Sequence, residues 1–207
     1  MEKLQRPFYE RNALIVAKEL LGKQLVHHTH EGKTVGKIVE VEAYVGPDDA
    51  GSHAYQGKYT TRTAVMFGGG GHAYIYLIYG VYYCFNIVAN QENFPEAVLI
   101  RALEPITGLD LMKKRCHTDQ LLNLCNGPGK LCTAMGISKI QNRADLCGEA
   151  IYLLSGAAVA PESVVSTPRI NIDYAGAARD YPWRFILKDN SFVSKPKNCA
   201  SKKHGLP

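Results

Sequence analysis

No two of the six cysteines stand in C-x-x-C spacing, so the sequence offers no zinc ribbon. No apolar stretch approaches the roughly 18 consecutive residues of a membrane span, and no membrane partner is expected. No signal-like apolar run follows Met1, whose neighbours include Glu2, Lys3, Gln5 and Arg6. The expected setting is intracellular, with reduced cysteines. That means the cytoplasm with the nucleoid in a bacterium and the nucleus in a eukaryote. The adjacent glycines Gly68 to Gly71 lack the Lys-Ser/Thr that completes a phosphate-binding P-loop. Internal repeats and interdomain linkers are missing too, which leaves residues 1–207 as a single domain.

What is present suits that domain. Of 207 residues, 46% are hydrophobic and 21% charged, which predicts a substantial core rather than disorder. The net charge of +5 is compatible with a nucleic-acid partner without demanding one. Lys195, Lys197, Lys202 and Lys203 predict a solvated, flexible basic tail from about residue 194.

Ala13, Ala17, Leu20 and Leu21 form an apolar stripe that predicts a helix from Tyr9 to Leu21, stopped by Gly22. Strands are predicted at 23–29 and 36–45, around a turn at Glu31-Gly32. Residues 46–72 form a long structured loop, of a length that often carries function. The run A-V-L-I-R-A-L predicts a strand ended by Glu104-Pro105. Helices follow at 107–115 and from Pro128, with Gly136 as a stop. The pieces A-I-Y-L-L, R-I-N-I-D and W-R-F-I-L predict further strands. Strands and helices do not alternate strictly, so the class is α+β.

Five tyrosines fall within ten residues: Tyr74, Tyr76, Tyr79, Tyr82 and Tyr83. The alternation around them predicts a hairpin turning at Tyr79-Gly80. High strand propensity alone accounts for many tyrosine runs. A ring at a hairpin tip has little core to enter, however. An exposed wedge of that kind suits insertion between base steps of duplex nucleic acid.

Charged residues inside apolar strands mark a second place. Glu40, Glu42 and Tyr44 share one face of their strand, and Val39, Val41 and Ala43 the other. Alone, that is a half-solvated sheet face. Arg101 shares a face with Ala97, Leu99 and Leu103, against Val98, Ile100 and Ala102, so it is buried. A buried guanidinium needs acceptors, and Glu40 or Glu42 is a natural partner. The result is either a plain internal ion pair or a carboxylate poised to deprotonate water. His53 lies in the long loop, either solvated or lining a pocket. His27, His28 and His30 make a poor metal site and belong to the surface. Gly68 to Gly71 suit a flexible loop better than a phosphate nest. Lys130, after N-G-P-G, stands at a helix start that suits an anion such as a DNA phosphate or serves as a mere cap.

The ordered set V-E-A-Y-V-G-P-D-D, S-H, Y-I-Y-L-I-Y-G-V-Y-Y-C-F-N, V-L-I-R-A-L-E-P and C-N-G-P-G-K-L-C resembles the alkyladenine (methylpurine) DNA glycosylase family. The resemblance runs from about Phe8 to about Val193. It implies a curved antiparallel sheet flanked by helices, with a protruding β-hairpin. It also implies a metal-free, cofactor-free enzyme of base excision repair. Such an enzyme flips 3-methyladenine, 7-methylguanine, hypoxanthine or ethenoadenine from double-stranded DNA and hydrolyses the N-glycosidic bond. The product is an abasic site in an uncut strand, and a monomer is expected. By the same resemblance Glu42 takes the general-base position and Arg101 helps hold the nucleophilic water. Ile170 would offer that water its carbonyl, in the least well matched motif. Tyr44, His53 and Tyr76 would enclose the flipped base, and Asn86 would help exclude normal guanine. Tyr79 takes the wedge position, and Arg62 the place of a basic residue near phosphate. Val81 stands where some members carry a longer side chain beside the wedge, next to Tyr82.

Two other classes compete. An aromatic hairpin can bind single-stranded nucleic acid without catalysis, and such a module needs no buried Glu–Arg pair. A hydrolase of free nucleosides needs neither an exposed Tyr79 nor a basic surface.

Overall fold

A computed structural model describes residues 1–194, so the basic stretch from Lys195 lies outside the described residues. A short helix α1 (Arg6–Tyr9) precedes α2 (Ala13–Leu20). The helix expected from Tyr9 therefore starts later. Asn12 caps it, its side chain accepting from the Leu14 N–H at 3.0 Å. Then come β1 (Gln24–Thr29), β2 (Gly32–Tyr44), β3 (Ala73–Ile78), β4 (Tyr82–Ala89) and β5 (Glu96–Thr107). Helices α3 (Leu109–Cys116) and α4 (Pro128–Met135) follow, then β6 (Ile151–Leu154), β7 (Val164–Thr167) and β8 (Arg184–Leu187).

The strands form one curled antiparallel sheet in the order β3-β4-β5-β2-β1-β6, with β8 also on β2 and β7 on β8. The described residues thus form a single α+β domain with a protruding hairpin. Strand β2 is its centre. It pairs along its length with β5, and separately with β1 through residues 32–37 and with β8 through residues 40–42.

One face packs against the helices. Ala13, Val16, Ala17 and Leu20 of α2 and Leu131, Cys132, Ala134 and Met135 of α4 bury against Ile38, Val41, Phe85, Ile87, Val98 and Ile100. These side chains lose nearly all water contact, which is the main favourable term in folding. The other face is covered by loops. Ala54, Val65 and Met66 of the long loop pack on Tyr74, Val88 and Ala97. Both faces are therefore buried, and Glu40 and Glu42 are wholly buried rather than half solvated.

Strict alternation also fails at one point. The β2–β5 register shifts around Ile38, Glu40 and Val41. This irregularity sends Val39 to a small cluster with Ala102, Ile186 and Val193, away from Val41. Leu103 correspondingly joins Val98 and Ile100 in the main core. A bulge re-aims side chains locally, and here it lies beside the buried charges.

Other expectations need correction. Strand β5 runs through Glu104-Pro105 to Thr107, with Pro105 opposite Gly36 at a register shift. Proline is tolerated where the ladder is already irregular. R-I-N-I-D forms no strand, and V-V-S-T, unpredicted, forms β7. His27 is buried, its Nδ1 2.8 Å from the Met135 carbonyl, while His28 and His30 are less enclosed. Gly68 to Gly71 end in a pinned segment. The Gly70 N–H donates to the Asn90 carbonyl and the Gly71 N–H to the Val88 carbonyl.

Candidate active site

The loop-covered face holds a cavity of about 690 Å³, within the usual range of ligand pockets. Strand β5 contributes Leu99 and Arg101 to its lining, β2 contributes Tyr44, β3 contributes Tyr76 and Ile78, and β4 contributes Cys84. Loop residues His53, Arg62, Ile170 and Tyr174 close the sides, and Asn126 to Lys130 form one rim.

Glu42 lies beneath the cavity with three donors on its carboxylate. The Tyr44 hydroxyl donates to Oε2 at 2.9 Å, and Arg101 Nη1 reaches the same oxygen at 3.3 Å. The Ile170 N–H donates to Oε1 at 2.7 Å. A carboxylate offers about four acceptor positions, so these donors leave capacity, mainly on Oε1. Burial and the neighbouring Glu42 charge both push the Tyr44 hydroxyl well above its ordinary pKa. It therefore stays protonated and keeps donating.

Glu40 secures the other side of Arg101. Its Oε1 accepts from Arg101 Nε at 2.9 Å, Arg184 Nε at 2.8 Å and Ser194 Oγ at 2.8 Å. Its Oε2 accepts from the Ser194 N–H at 2.6 Å. Burial alone would raise the Glu40 carboxyl, but Arg101, Arg184 and Ser194 overcome it and hold it below its ordinary value. Burial likewise opposes the Arg101 charge, and Glu42 and Glu40 more than restore it. Both glutamates named as partners for Arg101 thus bind it at once.

The walls are aromatic. The His53 ring meets Tyr76 edge-on at 4.7 Å, and its Nδ1 lies 2.7 Å from the Tyr74 hydroxyl. Burial, with help from Arg62 and Lys58, lowers the His53 pKa to about 4, so its ring is neutral near pH 7. Burial raises the Tyr76 hydroxyl well above its ordinary value, with Cys84 adding to the shift. Arg62 places its guanidinium 4.6 Å from the centre of the Tyr76 ring. Asn86 donates through Nδ2 to the Tyr74 carbonyl at 3.0 Å. It borders a small recess with Tyr44, His53 and Tyr76, and not the main cavity.

The hairpin tip borders this cavity. Tyr79 and Gly80 both have positive φ, at 53° and 70°, in a turn closed by the Val81 N–H and the Ile78 carbonyl. Glycine meets that demand without strain, but Tyr79 does not. Tyr79 is 75% exposed and Val81 67%. Tyr82 packs on the first turn of α4. A Cβ at Gly129 would come within 2.8 Å of it, so only glycine permits this approach. Lys130 Nζ donates to Asn126 Oδ1 at 3.0 Å on the same rim.

Sequence reading missed the supports behind the site. Arg169 donates through both Nη atoms to Asp49, at 2.5 and 2.7 Å, and through Nη1 to the Ala43 carbonyl at 3.0 Å. Its guanidinium lies between the Tyr44 and Trp183 rings, 4.7 and 5.0 Å from their centres. It fixes the segment whose next residue, Ile170, donates to Glu42. Arg184, inside W-R-F-I-L, carried the same signal as Arg101: a cation flanked by apolar strand residues. Cys84, Asn126 and Tyr174 also line the cavity without having been singled out for it.

The sequence profile of a family described as methylpurine-DNA glycosylase matches residues 7–191. A protein of Clostridium acetobutylicum named "Putative 3-methyladenine DNA glycosylase" is 52% identical over 200 residues, covering 93% of this chain and 97% of the relative. Relatives of the same name in Alkaliphilus oremlandii and Bacillus cytotoxicus are 50% and 48% identical. They cover 93% and 91% of this chain, and 99% and 98% of their own lengths.

Proposed function

Because this chain belongs to the methylpurine-DNA glycosylase family, we propose that it hydrolyses damaged purines from duplex DNA with a water activated by Glu42. That it is a DNA glycosylase follows from membership. The substrates and the roles below are our reading. Its expected lesions are 3-methyladenine, 7-methylguanine, hypoxanthine and ethenoadenine, and its product is an abasic site in an uncut strand. It is taken to work as a monomer without metal or cofactor.

The observation that carries the reading is the Glu42 carboxylate. It is wholly buried under an aromatic cavity, held by Tyr44, Arg101 and the Ile170 N–H, with acceptor capacity left on Oε1. A water accepted there stands ready to lose a proton as it attacks the sugar C1′. The fixed negative charge also stabilises the oxocarbenium-like transition state. Arg101 orients the carboxylate, and the Ile170 carbonyl would steady the water.

Flipping costs a few kcal/mol of stacking and pairing, least for damaged or mispaired bases. Tyr79 would fill the vacated space, with Val81 and Tyr82 beside it, while Lys130 and Arg62 would meet phosphates. Tyr44 and Tyr76 would stack on the purine, and stacking on aromatics is worth roughly 1–3 kcal/mol per base. His53 would complete the enclosure, and Asn86 would act against the exocyclic amine of guanine.

The test is excision from a labelled duplex carrying one hypoxanthine or ethenoadenine, with alkali used to cleave any abasic site. Strand breaks are expected only after alkali. Glu42→Gln should still bind the lesion but lose excision by at least about two orders of magnitude, the scale of general acid–base help. Retained turnover in that variant overturns the assignment. Binding without excision of any lesion, methylated purines included, would leave a nucleic-acid-binding module instead.

A further inference from the structure

The ring proposed to stack on the purine already carries a cation of this chain. Arg62 and Tyr76 line the same cavity, and the Arg62 guanidinium lies 4.6 Å from the Tyr76 ring centre. The arm starts from a pinned base. The next residue, Thr63, is buried, its Oγ1 donating to the Lys58 carbonyl at 2.9 Å and accepting from the Thr60 N–H at 2.8 Å. The Arg62 side chain is exposed and pairs with no carboxylate among the described residues, unlike Arg101 and Arg169, which are locked by buried acids.

We propose that Arg62 is a latch on the base pocket: its guanidinium covers the cavity side of Tyr76, and an entering purine must displace it. This rests on reading the cavity as the base pocket. The latch makes Arg62 a specificity-setting residue. Every base meets the same competitor, so only a base that stacks strongly or is loosely held in the duplex takes its place. Once displaced, the cation stands at the mouth on a long, flexible stem, where a DNA phosphate can accept it.

A free purine base separates the latch from the phosphate contact, because it carries no phosphate. Ethenoadenine base is the probe, titrated by calorimetry into wild type, Arg62→Ala and Arg62→Lys. An exposed cation–π contact is worth enough to predict about two- to fivefold tighter binding by Arg62→Ala. Arg62→Lys, which keeps a cation, should fall between. A residue that serves phosphate alone would leave all three affinities equal. Equal affinities, weaker binding by Arg62→Ala, or no binding to any of them while lesion excision persists would each overturn the latch. No purine binding together with no excision by wild type would instead remove the base-pocket reading itself. Arg62 lies on an exposed loop outside the core clusters, so the alanine variant keeps its fold.

Discussion

At the scale of single residues, the site is an arrangement of charges that only partners make tolerable. Glu42, Glu40, Arg101 and Arg184 are all buried, and each touches an opposite charge. Buried pairs of this kind roughly break even in stability. Their gain is a carboxylate and a guanidinium that cannot turn. His53 is the neutral member. Its pKa of about 4 comes mainly from burial and secondly from Arg62 and Lys58. In an NMR titration its ring should titrate near pH 4, and Arg62→Ala should move that midpoint upward. A midpoint at the ordinary value of 6.5 would mean the ring is solvated and not part of the wall. Glu42 and Arg101 were legible because charge inside an apolar strand is conspicuous. Asp49 and Arg169 were not. They pair across 120 positions, from the long loop to the first residue of R-I-N-I-D, and a charge in a loop or at the edge of an apparent strand reads as solvated, so nothing local marks them as partners.

At the scale of elements, the hairpin is the part that reaches outward. Alternating tyrosines and a glycine foretold it, because strand period and turn chemistry are local properties. The bulge in β2 was not foretold, since register depends on the partner strand. It is the bulge that separates Val39 from Val41 and sets the geometry around Glu40. Nor did the sequence reveal that residues 168–183 cross the site without a strand, since I-N-I alternates like one. Tyr79 is held at positive φ and 75% exposed, a placement that core packing does not explain. Tyr79→Ser should weaken binding to a lesion in duplex DNA by about tenfold, equivalent to ~1.4 kcal/mol. A lesion in single-stranded DNA, with no stack to fill, should lose much less. Equal losses in the two substrates, measured by fluorescence anisotropy, would remove the wedge.

At the scale of the whole molecule, the buried charges tie together segments far apart in the chain. Ser194 donates to Glu40 through its N–H and its hydroxyl, so a residue 154 positions away supports the carboxylate that holds Arg101. This coupling has a signature in acid. Glu40 is held below its ordinary value of 4.5, so its stabilising share is full above that value and lost as pH falls through the lower folded one. Glu96 works with the opposite sign. Burial raises its carboxyl, although it accepts from the Ala13 N–H at 2.6 Å at the start of α2. Its share is full below 4.5 and fades as pH rises through its higher folded value. Acid therefore unlocks the floor of the candidate site while leaving the α2 contact favoured. Glu40→Gln leaves Arg101 and Arg184 without their shared carboxylate, and at neutral pH should cost about 3–5 kcal/mol, the scale for breaking a buried pair. Urea unfolding of both proteins from neutral pH to about pH 3 checks this. The gap between them should narrow as pH falls below about 4.5, because protonation removes from wild type what the substitution has already removed. Curves that stay apart and parallel would mean that Glu40 keeps its charge in acid, and curves that coincide throughout would mean that it contributes nothing through that charge and that Arg101 is held by Glu42 alone.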